Sequence, residues 1–209
     1  MTTIANKPKG YFQYVLAADC ETSGLALNCD DASYNPDTGE VYQSVAWGLI
    51  IADADTLKPI KKLYLEIQWD GKSVWSKQAE NVHGLSKEHL AENGLTNSEA
   101  VEAIANFILP YWGPTNSIRL VGHNVATFDM WFLKRLMRSE QIELRFGNRH
   151  IDTSSLGFGT FGTYTSDELF ETVGLPKRDP SKHNALTDAE YSLESVRRIR
   201  AIFQRALEG

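Results

Sequence analysis

Apolar and polar positions change rhythm along this chain, and the change divides it into strands first and helices later. Residues 11–19, YFQYVLAAD, are aromatic and β-branched in character and predict a strand that ends in a carboxylate. The runs VYQSVAWGLIIAD (41–53) and KPIKKLYLEIQW (58–69) predict two further strands, antiparallel to their neighbours. Between the first two lies NCDDASYNPDTGE (28–40), rich in Asn, Asp, Pro and Gly, which reads as a loop or hairpin tip. The period then lengthens. Residues 77–93 suggest two short helices around a turn at His83-Gly84. Ser98-Glu99 opens a helix with Val101, Ile104, Ala105 and Ile108 on one face, stopped by Pro110 and the Gly113-Pro114 pair.

The second half continues in the same way. SIRLVGHN (117–124) is a buried-type strand running into a loop, and DMWFLKRLMRSE (129–140) is a helix with Phe132, Leu133, Leu136 and Met137 at helical spacing. RHIDTSSL (149–156) holds a short strand, and GFGTFGTY (157–164) reads as a mobile Gly- and aromatic-rich loop. SDELFETVGL (166–175) is a helix with Ser166 as its expected cap and Gly174 as its stop. A basic, Pro-bounded loop, 176–182, precedes one long helix from Asn184. The expected fold class is α/β: a mixed central sheet, three antiparallel strands and then parallel ones, flanked by helices. Without repeats or a convincing linker, 209 residues predict one domain, 1–209, with a polar leader over 1–10.

Composition adds exclusions. No apolar run approaches the length of a membrane span. The start, MTTIANKPKGYF, lacks the apolar core of a secretory signal, so a cytoplasmic protein is expected. Cys20 and Cys29 are too few for a disulfide framework, and zinc-ligand spacings are absent. Cys20, between Asp19 and Glu21, should face the other way, into the core. A net charge of -6 argues against coating long nucleic acid through phosphate contacts alone. It does not argue against a nuclease whose carboxylates hold cations.

Four acidic residues and a histidine stand beside core elements: Asp19, Glu21, Asp129, His183 and Asp188. Carboxylates there are costly to desolvate without a partner, and converging carboxylates suit a hard cation. Asp19 and Glu21 are two apart on a strand and share a face. His183 and Asp188 would diverge by roughly 140° on one helix. They reach one site if His183 precedes the helix and Asp188 lies in its second turn. Taken singly, each has an ordinary reading: a solvated strand end, a helix-start carboxylate, an exposed loop histidine.

Together they resemble the DEDD 3′–5′ exonucleases, in the branch with a histidine in the third motif. The motifs are ADCETSGL (18–25), GHNVATFD (122–129) and HNALTDA (183–189), with NVHGLS (81–86) resembling a stretch that follows the early strands in that family. The resemblance covers 12–195. Three residues separate Asn124 from Phe128, where proofreading subunits have two, a spacing similar to the exonuclease domains of family B polymerases.

The resemblance implies a ribonuclease H-like fold and a phosphodiester hydrolase using two divalent cations, Mg2+ or Mn2+. Asp19, Glu21 and Asp188 would hold one metal, Asp19 would bridge to a second with Asp129 near it, and His183 would be the general base. Thr22, the Ser23-Gly24 backbone and Leu25 would meet the 3′-terminal nucleotide. Phe128 would pack beneath the site, and Asn124 would hold the loop. His123 is expected to be structural, and Asp152 to orient the site without ligating. Phe158, Phe161 and Tyr164 are either stacking surfaces or loop anchors. Lys177, Arg178 and Lys182 either neutralise phosphates or form a solvated loop. Arg197, Arg198 and Arg200 read as surface charges. The expected partners are single-stranded DNA or RNA 3′ ends, DNA first, with a polymerase as a candidate partner in trans. The alternatives are an exoribonuclease and a non-catalytic nucleic-acid-binding module.

Overall fold

The computed structural model describes residues 12–178 and 184–208. The expected leader, Lys182 and His183 lie outside them. Among the described residues five strands form one sheet: β1 (Tyr14–Thr22), β2 (Ser44–Asp53), β3 (Pro59–Glu66), β4 (Leu120–Gly122) and β5 (Ile151–Asp152), in the order β3-β2-β1-β4-β5. The first three are antiparallel, while β4 is parallel to β1 and β5 to β4. This is the mixed sheet expected from the sequence.

Among the described residues seven helices accompany the sheet: α1 (Lys77–His83), α2 (Lys87–Asn93), α3 (Asn97–Trp112), α4 (Asp129–Ser139), α5 (Thr153–Phe161), α6 (Ser166–Thr172) and α7 (Ala185–Glu208). Strand alternation sorts β1 between two cores. Leu16, Ala18 and Cys20 join Trp47 and Leu49 of β2 against α3 and α4. Val15 and Ala17 face the other way, joining Ile50, Val121 and the α7 residues Ala189, Leu193 and Val196. A third cluster, centred on Leu169, Phe170 and Ile199, ties α6 to α7. No helix among the described residues is long and apolar enough to cross a membrane.

Three sequence expectations are corrected. Pro110 does not end its helix: α3 runs through it to Trp112, and Gly113 caps the end. Pro110 and Asn106, whose carbonyl loses its helical donor, are both exposed, so water can satisfy the group. The stretch 157–164 is not a loop throughout, because α5 extends to Phe161. The side chain of Asp152 accepts from Ser154 N at 3.0 Å to start α5, and Gly162, at φ 74°, closes it. Aromatic and glycine content had masked this short capped helix. Thr165, not Ser166, caps α6, through a capping box with Glu168.

One close approach sets the geometry of everything that follows. Gly48 of β2 lies directly under the start of α7. A Cβ built there would sit 2.2 Å from the backbone of Ala185 and Leu186. Those atoms belong to a helix backbone and cannot yield as a flexible side chain would. Gly48→Ala should therefore destabilise the protein by about 1–3 kcal/mol, the usual range for overpacking, read as a lowered melting temperature. Gly159→Ala, at a helical position where an added Cβ meets nothing within 4 Å, should be neutral or stabilising. Equal melting temperatures for the two variants would contradict this account.

Candidate active site

The face of β1 that buries Val15 and Ala17 continues into Asp19 and Glu21. Asp19 is the register partner of Gly48. The start of α7 therefore comes down beside the acidic end of β1 and delivers Asp188 in its first turn. That start is shaped by Asn184, whose Oδ1 accepts from Leu186 N (3.1 Å) and Thr187 N (3.2 Å). One carboxylate oxygen each from Asp19, Glu21 and Asp188 lie within 4.8 Å of one another.

Asp129 joins this group from the opposite face of the sheet. Its Oδ1 accepts from Cys20 N at 2.9 Å. The bond crosses 109 positions of sequence and fixes α4 against the end of β1. Asp129 is buried and lies close enough to Asp19 to push its carboxyl toward the protonated form. Cys20 does point away from its acidic neighbours, into the α3–α4 core.

The chemistry of the group fits a cation. Oxygen ligands about 2.1 Å from one magnesium lie at most about 4.2 Å apart, so the three carboxylates need only a small contraction. Oε1 of Glu21 is buried with no hydrogen-bond partner among the described residues. Burial, and then Asp188 and Asp129, push Glu21 up to about 7, while Arg178 pulls it back. Burial likewise raises Asp129 to about 7, against the bonds it accepts from Cys20. Asp19 is raised well above the carboxylate range by burial and by Asp129, Glu21 and Asp188.

Asp19, Glu21 and Asp188 line a cleft of about 560 Å³. Its walls include Thr22, Gly24, Leu25, Phe128, His83 and His123. Gly24, at φ 150°, leaves no room for a side chain: an added Cβ would meet the Tyr42 ring at 2.7 Å. Leu25 is 41% exposed, at the mouth. Ser23 is placed differently. It is fully buried, its N–H donates to Gln43 O, its carbonyl accepts from Ser76 N and its hydroxyl accepts from Gln43 N. It braces the turn that presents Thr22 and Gly24.

The longer second-motif loop is closed by Asn124, in the left-handed region at φ 57°. Its carbonyl accepts from Thr127 N, Phe128 N and Thr127 Oγ1. Its N–H donates to Asp152 Oδ1, the same oxygen that caps α5. Phe128 packs on Phe132 with ring centroids 5.1 Å apart. His123 Nδ1 lies 3.2 Å from Thr153 Oγ1, and burial holds the ring below its usual pKa.

Phe158, Phe161 and Tyr164 are exposed rather than anchoring, and the first and last pair at 4.9 Å. Lys177 lies on the surface near Glu171. Arg197 and Arg198 pair with Glu194, and Arg200 donates to Asp55 O. Sequence reasoning missed one residue and gave Arg178 another role, as a phosphate contact or a solvated loop charge. His83, buried and held below its usual pKa by burial, lines the cleft; the NVHGLS stretch carried that signal. Arg178 is paired directly with Asp188 at 2.5 Å, which no local pattern could show.

The electrostatics set a pH dependence. Glu21 and Asp129 ordinarily ionise near 4.5 and 3.8 and are raised to about 7 here. Between those limits the folded chain keeps protons that the unfolded chain has released. The associated stability is full below the ordinary values and is lost as pH rises through 7. Chelator-treated protein should melt at falling temperature from about pH 5 to about pH 8, and divalent metal should restore more at the upper end. A melting temperature that rises over that interval would rule the electrostatic account out.

A family model described as Exonuclease (RNase T) matches residues 16–196. No curated protein matches the chain. Solved structures with a similar fold include exonuclease I of E. coli in complex with a 5cy-dT13 oligonucleotide, at 11% identity and a TM-score of 0.67 over 93% of this chain. Exonuclease I of Methylocaldum szegediense is similar at 18% identity and a TM-score of 0.67 over 90% of this chain. The chain spans only about two fifths of these, 42% and 40%. The nuclease domain of 3′hExo, a DEDDh family member bound to rAMP, is similar at 12% identity and a TM-score of 0.65, over 92% of this chain and 94% of that domain. With its acidic motifs gathered at one cleft, the chain belongs to the exonuclease family and has the ribonuclease H-like fold of the DEDDh 3′–5′ exonucleases.

Proposed function

We propose that this chain, as one exonuclease domain, removes nucleotides from single-stranded 3′ ends, DNA first, and releases nucleoside 5′-monophosphates. The observation that carries the reading is the convergence of Asp19, Glu21 and Asp188 within 4.8 Å at the floor of an open cleft. Asp19, Glu21 and Asp188 would hold one divalent cation, Mg2+ or Mn2+, and Asp129 would serve a second, partly through water. Bound there, the ions would offset the charge that develops on the phosphate and make water more acidic.

The remaining work falls to the chain itself. His183 would act as general base, neutral near pH 7, and take the proton of the attacking water. The water oxygen bonds phosphorus, the bond to the preceding 3′ oxygen breaks, and that oxygen leaves as a hydroxyl after gaining a proton. Asn184, the next residue along, caps α7 and so ties the third motif to Asp188. Thr22 and Gly24 offer polar edges to the last nucleotide. Leu25 offers an apolar edge that tolerates any base, as stepwise removal demands. Phe128 forms the wall beneath.

RNA is the second reading. It is supported by the fold likeness to the 3′hExo nuclease domain, whose structure holds rAMP. Recognition of RNA would need contacts to the 2′-hydroxyl beside Thr22.

End-labelled single-stranded DNA, duplex DNA and matched RNA, incubated with Mg2+ or Mn2+, should shorten stepwise from the 3′ end, single-stranded DNA fastest. Absence of mononucleotides from every substrate would overturn the enzymatic reading in favour of a binding module. RNA outrunning DNA would select the second reading. Asp19→Asn should lower turnover by at least about a hundredfold and sharply weaken Mn2+ binding by calorimetry. His183→Ala should lower turnover by about a hundredfold or more while Mn2+ binding persists. Near wild-type turnover across pH 6–9 would remove His183 from the base role.

A further inference from the structure

Arg178 occupies the place where the acidic group needs positive charge. It follows α6 in sequence, yet its Nη1 reaches 2.5 Å from Oδ1 of Asp188, with both side chains about nine-tenths covered. The other side of the guanidinium is held by α6: Nη2 lies 2.7 Å from Asp167 Oδ1 and 3.0 Å from Ser166 Oγ. The Phe170 ring lies beneath it at 4.9 Å. Among the described residues lining the cleft, Arg178 is the only lysine or arginine. Its charge opposes the upward push on both Asp19 and Glu21. This arrangement differs from that of a solvated basic loop, in which a side chain would spread into water as Lys177 does.

The Arg178 guanidinium, ion-paired with Asp188, and a divalent cation at the same carboxylate would be two positive charges competing for one negative group. We propose that Arg178 is a resident counter-cation exchanged for the metal. Before loading, it neutralises part of the acidic group and holds α6 against α7. When an ion enters, the Asp188 end of the fork lets go while the Asp167 end keeps the side chain at the rim. The exchange rests on the metal-binding reading of the site. Its consequence is a threshold: a site closed by its own arginine about nine times in ten would bind metal about tenfold more weakly than the same site without it.

Calorimetric titration of Mn2+ into chelator-treated full-length protein tests this. Arg178→Gln should bind Mn2+ about tenfold more tightly than wild type. In thermal melts the same variant should be less stable than wild type without metal, and saturating Mn2+ should narrow the gap. Arg178→Lys keeps the charge but loses the two-pronged geometry. It should bind Mn2+ with intermediate affinity, and it keeps the proposal testable if the glutamine variant does not fold. Equal or weaker Mn2+ binding by the variants, with wild type binding normally and Asp19→Asn weakened, would overturn the exchange alone. If wild type and variants all fail to bind Mn2+, the metal-binding reading falls, and the exchange with it.

Discussion

Repulsion among carboxylates that the backbone holds together governs this molecule. Two unit charges 4.8 Å apart repel by about 3–4 kcal/mol at an effective dielectric constant near 20, and the group has a fourth member in Asp129. A fold can answer such repulsion by holding protons, by bringing in a cation of its own or by binding one from solution. The structure displays the first two, in the raised pKa values of Glu21 and Asp129 and in the Arg178 pair. The family to which the chain belongs works by the third. The same electrostatic stress therefore accounts for the acidic cleft, for the reach of Arg178 and for the expected response to metal.

Holding the carboxylates together falls to three features of the fold outside the acidic group itself. β1 alternates between two cores and runs out at a face that only Asp19 and Glu21 occupy. Gly48, bare of a side chain, lets α7 descend onto the sheet opposite Asp19. Asp152 spends one oxygen on two tasks, starting α5 and holding Asn124, and so fixes the loop that leads to Asp129. None of these needs a ligand to be in place.

Much of this was legible in the sequence because it follows from short-range pattern. Period-two runs located the three early strands, and apolar spacing located α3, α4 and α7. The carboxylates could be singled out because each adjoined a core element, and the resemblance joined them into one site. What escaped was of two kinds. The helix at 153–161 was hidden by glycines and aromatics, since its start depends on a single capping carboxylate and its end on one left-handed glycine. The Arg178–Asp188 pair and the brace made by Ser23 depend on elements that meet only after folding. The family motif gave Ser23 a place in the cleft, while its hydrogen bonds turn it into the wall behind.

The bond from Cys20 N to Asp129 has a practical meaning for anyone choosing an inactive control. β1 outlasts β4, whose pairing with it stops at Ala17 and Val121, so the amide of Cys20 reaches past the end of its neighbouring strand. Asp129 takes the place of the missing strand's carbonyl. An alanine at 129 would remove the carboxylate proposed to serve a second metal and also orphan a buried amide, at about 1–3 kcal/mol. An asparagine would keep an acceptor in position. The two nominally dead enzymes are thus different molecules, and only the asparagine form is a fair inert stand-in for trapping a nucleic-acid complex.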